Sequence, residues 1–247
     1  ASCGRCSAFL HSKPHQHAAM GRAGRRLAAV GCEGMQDDRA ASASGAALKV
    51  LYIHGLEAGP AGRKVSALRR HFDVAAEQMA TPTYADISNP TYLREQLPGV
   101  FRSCVEQQAS AVVRERPDVV VASSYGAAVC LELLEARQWI GPTVLVAPAP
   151  ARLIRAQPDS AYSLTGLRAP ILILHGSRDE LIPPALSREL LATGDPAFVC
   201  LEVLDDDHAM NSTLAEQDLL AGYVRQVFAK GTERNAIHGR GSPSAKL

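Results

Sequence analysis

The sequence predicts an α/β fold in which a mostly parallel six-stranded sheet carries helices on both faces. Two observations predict it. From Leu48 onward, apolar runs rich in β-branched residues alternate with helix-like segments, the pattern of repeated strand–helix–strand units. Prolines also stand directly before some of the expected strands, where a missing amide hydrogen costs little, and glycines follow some of the expected helices as stops.

The individual elements follow from this alternation. Strands are expected at 48–53, 73–78, 118–122, 142–147, 170–175 and 198–204. Helices are expected at 61–71, 91–115, 125–137, 184–192 and 212–229. Pro98-Gly99 is expected to divide the second helix, because proline and glycine both disfavour a helix interior. The segment 148–169, which follows the fourth strand, is too short to form an independent lid domain.

The composition divides the chain into three regions: a leader over 1–47, a folded domain over 48–229 and a disordered tail over 230–247. The leader is rich in Ala, Ser, Gly and Arg, and it has no acidic residue before Glu33. Two interpretations of it stay open, an organelle transit peptide and a disordered extension. The expected location is therefore cytoplasmic, or the stroma or matrix of an organelle if the leader is a targeting peptide.

The charge and the cysteines limit the partners. A formal net charge of +1 over 247 residues gives no reason to expect a nucleic acid or a membrane surface as partner. No apolar run approaches the ~20 residues that span a bilayer, so a soluble protein is expected. The six cysteines are scattered, which favours a reducing compartment. Cysteines and histidines within 3–17 match neither a zinc knuckle nor a zinc finger in spacing, so neither metal nor cofactor is predicted.

The segment 119–128, VVVASSYGAA, is typical of a strand that turns sharply into a helix and presents a serine at the turn. Around Ser124, the residues two before and two after are Ala122 and Gly126, as a relaxed G-x-S-x-G elbow requires. Ser123 fits this frame less well, because larger residues would then occupy the small positions. Since a serine between a strand and a helix is also a common helix cap, other motifs must support the assignment.

Two further polar residues follow later strands. The strand at 170–175 leads into a loop with Asp179, and the strand at 198–204 leads into a loop with His208. The carboxyl ends of parallel strands line one crevice, so Ser124, Asp179 and His208 are expected to lie together. Their order along the chain differs from the orders in the two common serine protease folds.

With these motifs the chain resembles an α/β-hydrolase, and it is most similar to the small lidless bacterial esterases of the YqiA type. The resemblance covers 48–229 and is carried by four motifs, LYIHGL at 51–56, SSYG at 123–126, HGSRD at 175–179 and DDH at 206–208. It implies a minimal α/β-hydrolase fold without a large lid, and a serine nucleophile served by a catalytic triad.

The chemistry assigns a role to each residue. Ser124 needs a base to take its proton, and His208 is the best placed histidine. Asp179 would hold the imidazole in one tautomer. Glu180 is a weaker rival for that role, and the aspartates before His208 are expected to be solvated turn residues. Backbone N–H groups of Tyr125 and, by analogy with the fold, Leu56 would form the oxyanion hole.

Other polar features have structural interpretations. His54 is expected to hydrogen-bond the loop beside it, and His175 is expected to be a hydrogen-bonded core residue. The glycine-rich loop 57–62 lacks the Lys-Ser/Thr ending of a phosphate-binding P-loop, and Arg63-Lys64 do not restore it.

The sequence therefore predicts a serine hydrolase that cleaves a small carboxylic ester or thioester through an acyl-enzyme. The alternative is a catalytically silent protein of the same fold, used for binding or as a scaffold. The short segment 148–169 predicts an open site with a preference for short acyl groups. In this segment an apolar wall is available only from residues that the core can also require, namely Leu153, Ile154, Tyr162, Leu164 and Leu167. The leaving group, the physiological substrate and the oligomeric state are not predicted.

Overall fold

The sheet has seven strands, one more than expected. The computed structural model describes residues 27–30, 47–155 and 159–239. The strand order is β1-β7-β6-β5-β4-β2-β3, in which β2 to β7 run parallel and β1 runs antiparallel to β7. The strands are β1 Leu27–Val30, β2 Lys49–Ile53, β3 Asp73–Ala75, β4 Val119–Ser123, β5 Thr143–Val146, β6 Ile171–Gly176 and β7 Val199–Leu204.

Strand β1 corrects one expectation about the leader. It lies within the segment 1–47, for which no strand was predicted, and pairs with the outer edge of β7. Pairing at a sheet edge uses backbone N–H and C=O groups, so a short segment can join without an alternating side-chain pattern. The Cys/His segment at 3–17 lies outside the described residues, and the interpretation of the leader stays a prediction.

The helices are α1 Arg63–Arg69, α2 Tyr84–Ile87, α3 Pro90–Glu95, α4 Leu97–Glu115, α5 Tyr125–Glu135, α6 Ala151–Ile154, α7 Pro184–Ala192 and α8 Leu219–Gly239. The expected helix at 91–115 is divided at Gln96 and not at Pro98-Gly99. Pro98 lies in the first turn of α4, where its missing N–H would have had no helical partner. Helices α2 and α6 were not predicted.

The C-terminal helix corrects the expectation for the tail. A π-helical turn, Ser212–Glu216, and then α8 replace the predicted helix at 212–229, and α8 continues to Gly239. The sequence 230–239 contains no proline to stop the helix, and buried Gly231 lies close to Pro142, where a Cβ would be 2.7 Å from the ring. The disordered tail was therefore placed too early; residues 240–247 lie outside the described part.

Two apolar layers cover the sheet, because successive strand residues point to opposite faces. On one face Leu51 and Ile53 pack with α4, α5 and α7; on the other Val50 and Tyr52 pack with α1 and α8. Helices on both faces confirm the predicted fold class. Among the described helices, none combines the length and apolarity needed to cross a bilayer.

Candidate functional site

Ser124 occupies a strained turn between β4 and α5. Its backbone has φ 54° and ψ −117°, a conformation that non-glycine residues rarely adopt. Its amide donates to the carbonyl of Val146 at 2.8 Å, which fixes the turn to the neighbouring strand. A Cβ on Gly126 would lie 2.4 Å from the carbonyl oxygens of Ile53 and His54, so only glycine fits there. These contacts explain why the elbow requires a small residue at 126.

The structure brings together the three side chains that the sequence singled out. His208 Nε2 lies 3.0 Å from Ser124 Oγ, and His208 Nδ1 lies 2.7 Å from Asp179 Oδ2. Since the carboxylate accepts from Nδ1–H, Nε2 is left as the acceptor for the serine hydroxyl. The three groups form one hydrogen-bonded series at the carboxyl ends of β4, β6 and β7.

The Asp179 carboxylate is held from several sides. Its Oδ1 accepts the amide hydrogens of Leu181 at 2.9 Å and Ile182 at 2.8 Å. Its Oδ2 contacts His208 and also His175 Nε2, the latter at 3.1 Å. Burial by itself would raise the pKa of Asp179, but hydrogen bonds from His175, His208 and the Ile182 amide bring that pKa well below its ordinary value. Asp179 is therefore a fixed negative charge beside the imidazole.

The rival carboxylates have other positions. Glu180 is exposed, and no described hydrogen bond joins it to His208. Asp205 forms an ion pair with Arg178. Asp206 accepts hydrogen bonds from Thr213, and Asp207 accepts hydrogen bonds from backbone amides of the turn that follows it. Asp206 is buried, which departs from the expected solvated turn.

Gly176 explains how the loops after β6 and β7 approach each other. A Cβ at this residue would lie 2.3 Å from the carbonyl oxygen of Asp207 and 2.6 Å from that of Asp206. The amide of Ser177 donates to Leu204 O at 2.7 Å, so the ladder between the two strands extends into the loops. A side chain at 176 would separate the loop of the aspartate from the loop of the histidine.

The two amides predicted for an oxyanion hole are free. Tyr125 begins α5, and the first amides of a helix have no helical partner. Within the described residues, the N–H of Leu56 donates no hydrogen bond. His54 orients that amide: its Nδ1 donates to Gly55 O at 2.8 Å while its Nε2 accepts from Met79 N at 3.0 Å. In a trans peptide the C=O and N–H point in opposite directions, so holding Gly55 O also fixes the Leu56 N–H.

A cleft of about 260 Å³ opens over Ser124 and His208. The five residues expected to wall it do not line it; Ile154, Tyr162, Leu164 and Leu167 belong to the core instead. The cleft is lined from the loop after β2, from α1 and from the loop after β7, including Tyr52, Leu56, Lys64, Tyr84 and Asn211. The expectation of an apolar wall from this segment was therefore wrong, because its buried side chains cover the sheet instead.

Three features of this site were missed from the sequence. Gly55 packs against the elbow, since a Cβ there would lie 3.2 Å from Ser124 Cβ. His175 is a hydrogen-bonded core residue as predicted, but its contact with Asp179 was not foreseen. Lys64 was noted only as failing a P-loop pattern, yet it lines the cleft. The contacts of Gly55 and Lys64 join segments far apart in the chain, so no local signal marks them. His175 and Asp179 are only four residues apart, but the sequence pattern does not show that the loop after the strand turns one toward the other.

No metal centre accompanies this arrangement in the part of the chain that the structure describes. Within 27–30, 47–155 and 159–239, no three His, Cys, Asp or Glu side chains are grouped so as to hold a metal ion.

Comparison with known proteins identifies the fold. No family model and no curated protein match the chain. Among solved structures it is similar to a proposed hydrolase of the alpha/beta superfamily from Xanthomonas campestris pv. campestris, at 22% identity and TM-score 0.51, covering 74% of this chain and 98% of that one. It is also similar to 2-hydroxy-6-oxo-6-phenylhexa-2,4-dienoate hydrolase from Rhodococcus sp. strain RHA1, at 18% identity and TM-score 0.53, covering 74% and 91%.

A thermophilic esterase from Thermogutta terrifontis is similar at 14% identity and TM-score 0.53, with 76% of this chain and 91% of that chain covered. At such identities the likeness concerns the fold. The chain therefore has the α/β-hydrolase fold, as its motifs predicted, whereas the YqiA-type likeness stays a prediction.

Proposed function

We propose that the protein is a serine hydrolase that cleaves a small carboxylic ester or thioester through an acyl-enzyme. The observation that carries the proposal is the hydrogen-bonded series from Ser124 Oγ through His208 to Asp179, with donor–acceptor distances of 3.0 and 2.7 Å. This series opens on a cleft, so a substrate carbonyl can reach the hydroxyl. A fold shared with hydrolases is consistent with this activity but does not decide it.

Each group has a defined part in the proposed reaction. His208 Nε2 takes the hydroxyl proton as Ser124 Oγ attacks the carbonyl carbon, and Asp179 stabilises the imidazolium. The amides of Leu56 and Tyr125 donate to the carbonyl oxygen as it becomes negative. The imidazolium then gives its proton to the departing alcohol or thiol, leaving an ester on Ser124. His208 then takes a proton from water as that water attacks the ester carbonyl. The imidazolium gives this proton to Ser124 Oγ as the acid is released, which regenerates the enzyme.

The decisive experiment is the Ser124→Ala variant. It should lose almost all turnover of a small activated ester, by about 10⁶-fold, because the nucleophile is absent. It should also lose labelling by a fluorophosphonate probe, which forms a covalent bond with an activated serine. Labelling is measured on the full chain by intact-protein mass spectrometry.

Ser123→Ala is the matched control. Ser123 is the adjacent serine, and its hydroxyl bonds with the buried phenol of Tyr52. This variant should still be labelled. Labelling retained in Ser124→Ala would overturn the assignment, and an unlabelled unmodified protein would favour the alternative of a silent binding or scaffold protein.

The cleft also supports a preference for short acyl groups. A volume of about 260 Å³ leaves little room for a long chain, and each buried methylene adds only about 0.8 kcal/mol of binding. We expect kcat/KM to be highest for acyl chains of about two to six carbons. A series of nitrophenyl esters measures this, and a maximum at about ten carbons or beyond would contradict it.

A further inference from the structure

The described side chains that line the cleft include positively charged residues but no negatively charged ones. Arg63 and Lys64 are the cations among them, and His208 is the residue that would exchange protons with Ser124. Within the described residues, no aspartate or glutamate lines this cleft. A site of this kind raises the local concentration of anions and disfavours cations.

Lys64 differs from the arginines of the same helix. Arg63 pairs with Glu216 at 3.3 Å, and Arg69 donates to Pro60 O at 2.9 Å. Lys64, by contrast, makes no hydrogen bond or ion pair with any residue of the described part, although its side chain is half-buried. A half-buried ammonium without a partner is unfavourable, so the site is prepared for an anion that the protein does not itself supply.

The ammonium keeps its charge at neutral pH. Burial lowers the pKa of Lys64 to about 8, although the charges of Asp206 and Asp207 act to raise it. Those carboxylates are engaged elsewhere: Asp206 accepts from Thr213 and from the Asp207 amide, and Asp207 accepts the amides at the start of the next turn. At pH 7 most molecules therefore present a charged Lys64.

We propose that Lys64 binds a carboxylate carried by the ester or thioester that Ser124 attacks, so that the substrate class is a short monoester of a dicarboxylic acid or an ester of a hydroxy acid. The inference rests on the proposed function. Lys64 and Ser124 line the same cleft of about 260 Å³, so one small substrate can contact both residues. Lys64 thereby determines specificity and takes no part in proton transfer.

A structural role for Lys64 gives a different result from a substrate-binding role. If the ammonium only balanced the charges of Asp206 and Asp207, its loss would change stability and affect all esters equally. If it binds the substrate, its loss changes the ratio between a charged ester and a neutral ester of the same shape.

The test compares kcat/KM of the full chain for two matched pairs. Monomethyl succinate and methyl succinamate differ only by a carboxylate on the acyl side, and acetoxyacetate and acetoxyacetamide differ by one on the alcohol side. The unmodified protein should prefer the charged member of one pair, and the pair that shows the preference identifies the side. In Lys64→Gln that preference should fall by about tenfold to a hundredfold, mainly through KM.

Two further variants control the comparison. Lys64→Arg keeps the charge and should retain most of the preference. Arg188→Gln removes one positive charge from the exposed surface of α7, outside the cleft lining, and should leave the ratio unchanged.

The preference should also depend on pH. As the pH rises through about 8, the free Lys64 loses its proton and the preference should decline. The ratio of kcat/KM for the charged ester to kcat/KM for the neutral ester cancels any ionisation that affects both esters equally. The other ionisable groups near Lys64 include Arg63, Tyr52, Asp206 and Asp207. Burial raises the pKa of Tyr52, so its phenol stays neutral over this range. In Lys64→Arg the preference should persist to higher pH.

The outcomes separate this inference from the proposed function. Turnover that survives in Ser124→Ala overturns the function, whereas Ser124-dependent turnover with the same ratio in Lys64→Gln overturns only the inference. If the esters are not turned over, the test is whether succinate protects Ser124 from fluorophosphonate labelling. Succinate should slow the labelling of the unmodified protein but not that of Lys64→Gln. If succinate leaves the labelling rate of both proteins unchanged, the inference is overturned.

Discussion

Two histidine–serine pairs meet at the carboxylate of Asp179. In one, His208 lies 2.7 Å from Asp179 Oδ2 and 3.0 Å from Ser124 Oγ. In the other, His175 lies 3.1 Å from the same oxygen and 2.7 Å from Ser187 Oγ. Both pairs have the residue types that a serine nucleophile needs, and both share the same carboxylate.

Access to the cleft separates the two pairs. The His208 side chain is 16% exposed and Ser124 lies at the elbow, whereas the His175 side chain is fully buried and Ser187 is 1% exposed in α7. His175 Nε2 also donates to Ile182 O at 2.8 Å, so its ring orientation is determined by the core. The right residue types and hydrogen bonds are therefore not enough for a serine to act as a nucleophile, because a substrate must also be able to reach it.

Among variants of the shared carboxylate and of the buried His175–Ser187 pair, Asp179→Asn should have the largest effect, because it removes the charge that both pairs share. An asparagine favours the wrong imidazole tautomer of His208, and kcat for a short ester should fall by about 10⁴-fold while the fold is retained. Circular dichroism checks the fold. A larger loss in Asp207→Asn or Glu180→Gln would contradict the assignment of the orienting carboxylate.

The same variant gives a pH prediction for stability. The pKa of Asp179 is lower in the folded state than in the unfolded chain, so its carboxylate stabilises the fold above the unfolded pKa of about 3.9. This contribution is lost as the pH falls through the folded pKa. The difference in free energy of unfolding between the unmodified protein and Asp179→Asn should therefore be constant near neutral pH and decrease below about pH 4. Urea unfolding measures it, and a difference that grows on acidification would contradict it.

His175→Gln should have an intermediate effect. It removes a donor to Asp179 and leaves the Ser187 hydroxyl without its acceptor, so the carboxylate is held less firmly against His208. We expect kcat to fall by about tenfold with little change in KM, and the free energy of unfolding to fall by about 1–3 kcal/mol. A loss as large as that of Asp179→Asn would mean that His175 contributes more than the orientation of the carboxylate.

Ser187→Ala should have the smallest effect on the rate. It removes the hydroxyl that donates to His175 Nδ1, which should lower the free energy of unfolding by about 1–3 kcal/mol. The contact between His175 Nε2 and Asp179 stays in place. The rate should stay within about twofold, in contrast with Ser124→Ala. Steady-state kinetics and urea unfolding on the same samples separate the two effects. A rate loss above tenfold would show that the buried pair is coupled to the reaction.

The candidate site was predictable to the extent that its signals are local. The elbow at Ser124 could be predicted because the strand, the small residue Ala122 and Gly126 all lie within a few residues of the serine. Asp179 and His208 were readable because each directly follows an apolar strand, and parallel strands end at one edge. The wall expected from Leu164 and its neighbours was wrong, because an apolar side chain in a connecting segment can cover either a cleft or a sheet.

By itself, the sequence determined the order of strands β2 to β7, the main helices between them and the three polar groups at the strand ends, because these follow from patterns within a few residues. The tertiary structure decided what lies beside them. It placed β1 on the edge of β7, Lys64 in the cleft and His175 behind Asp179. The first two placements depend on how distant segments pack across the sheet. The third joins residues four apart in the chain, and it was not predicted because a buried polar side chain takes its partner from whichever group the fold brings within hydrogen-bond distance.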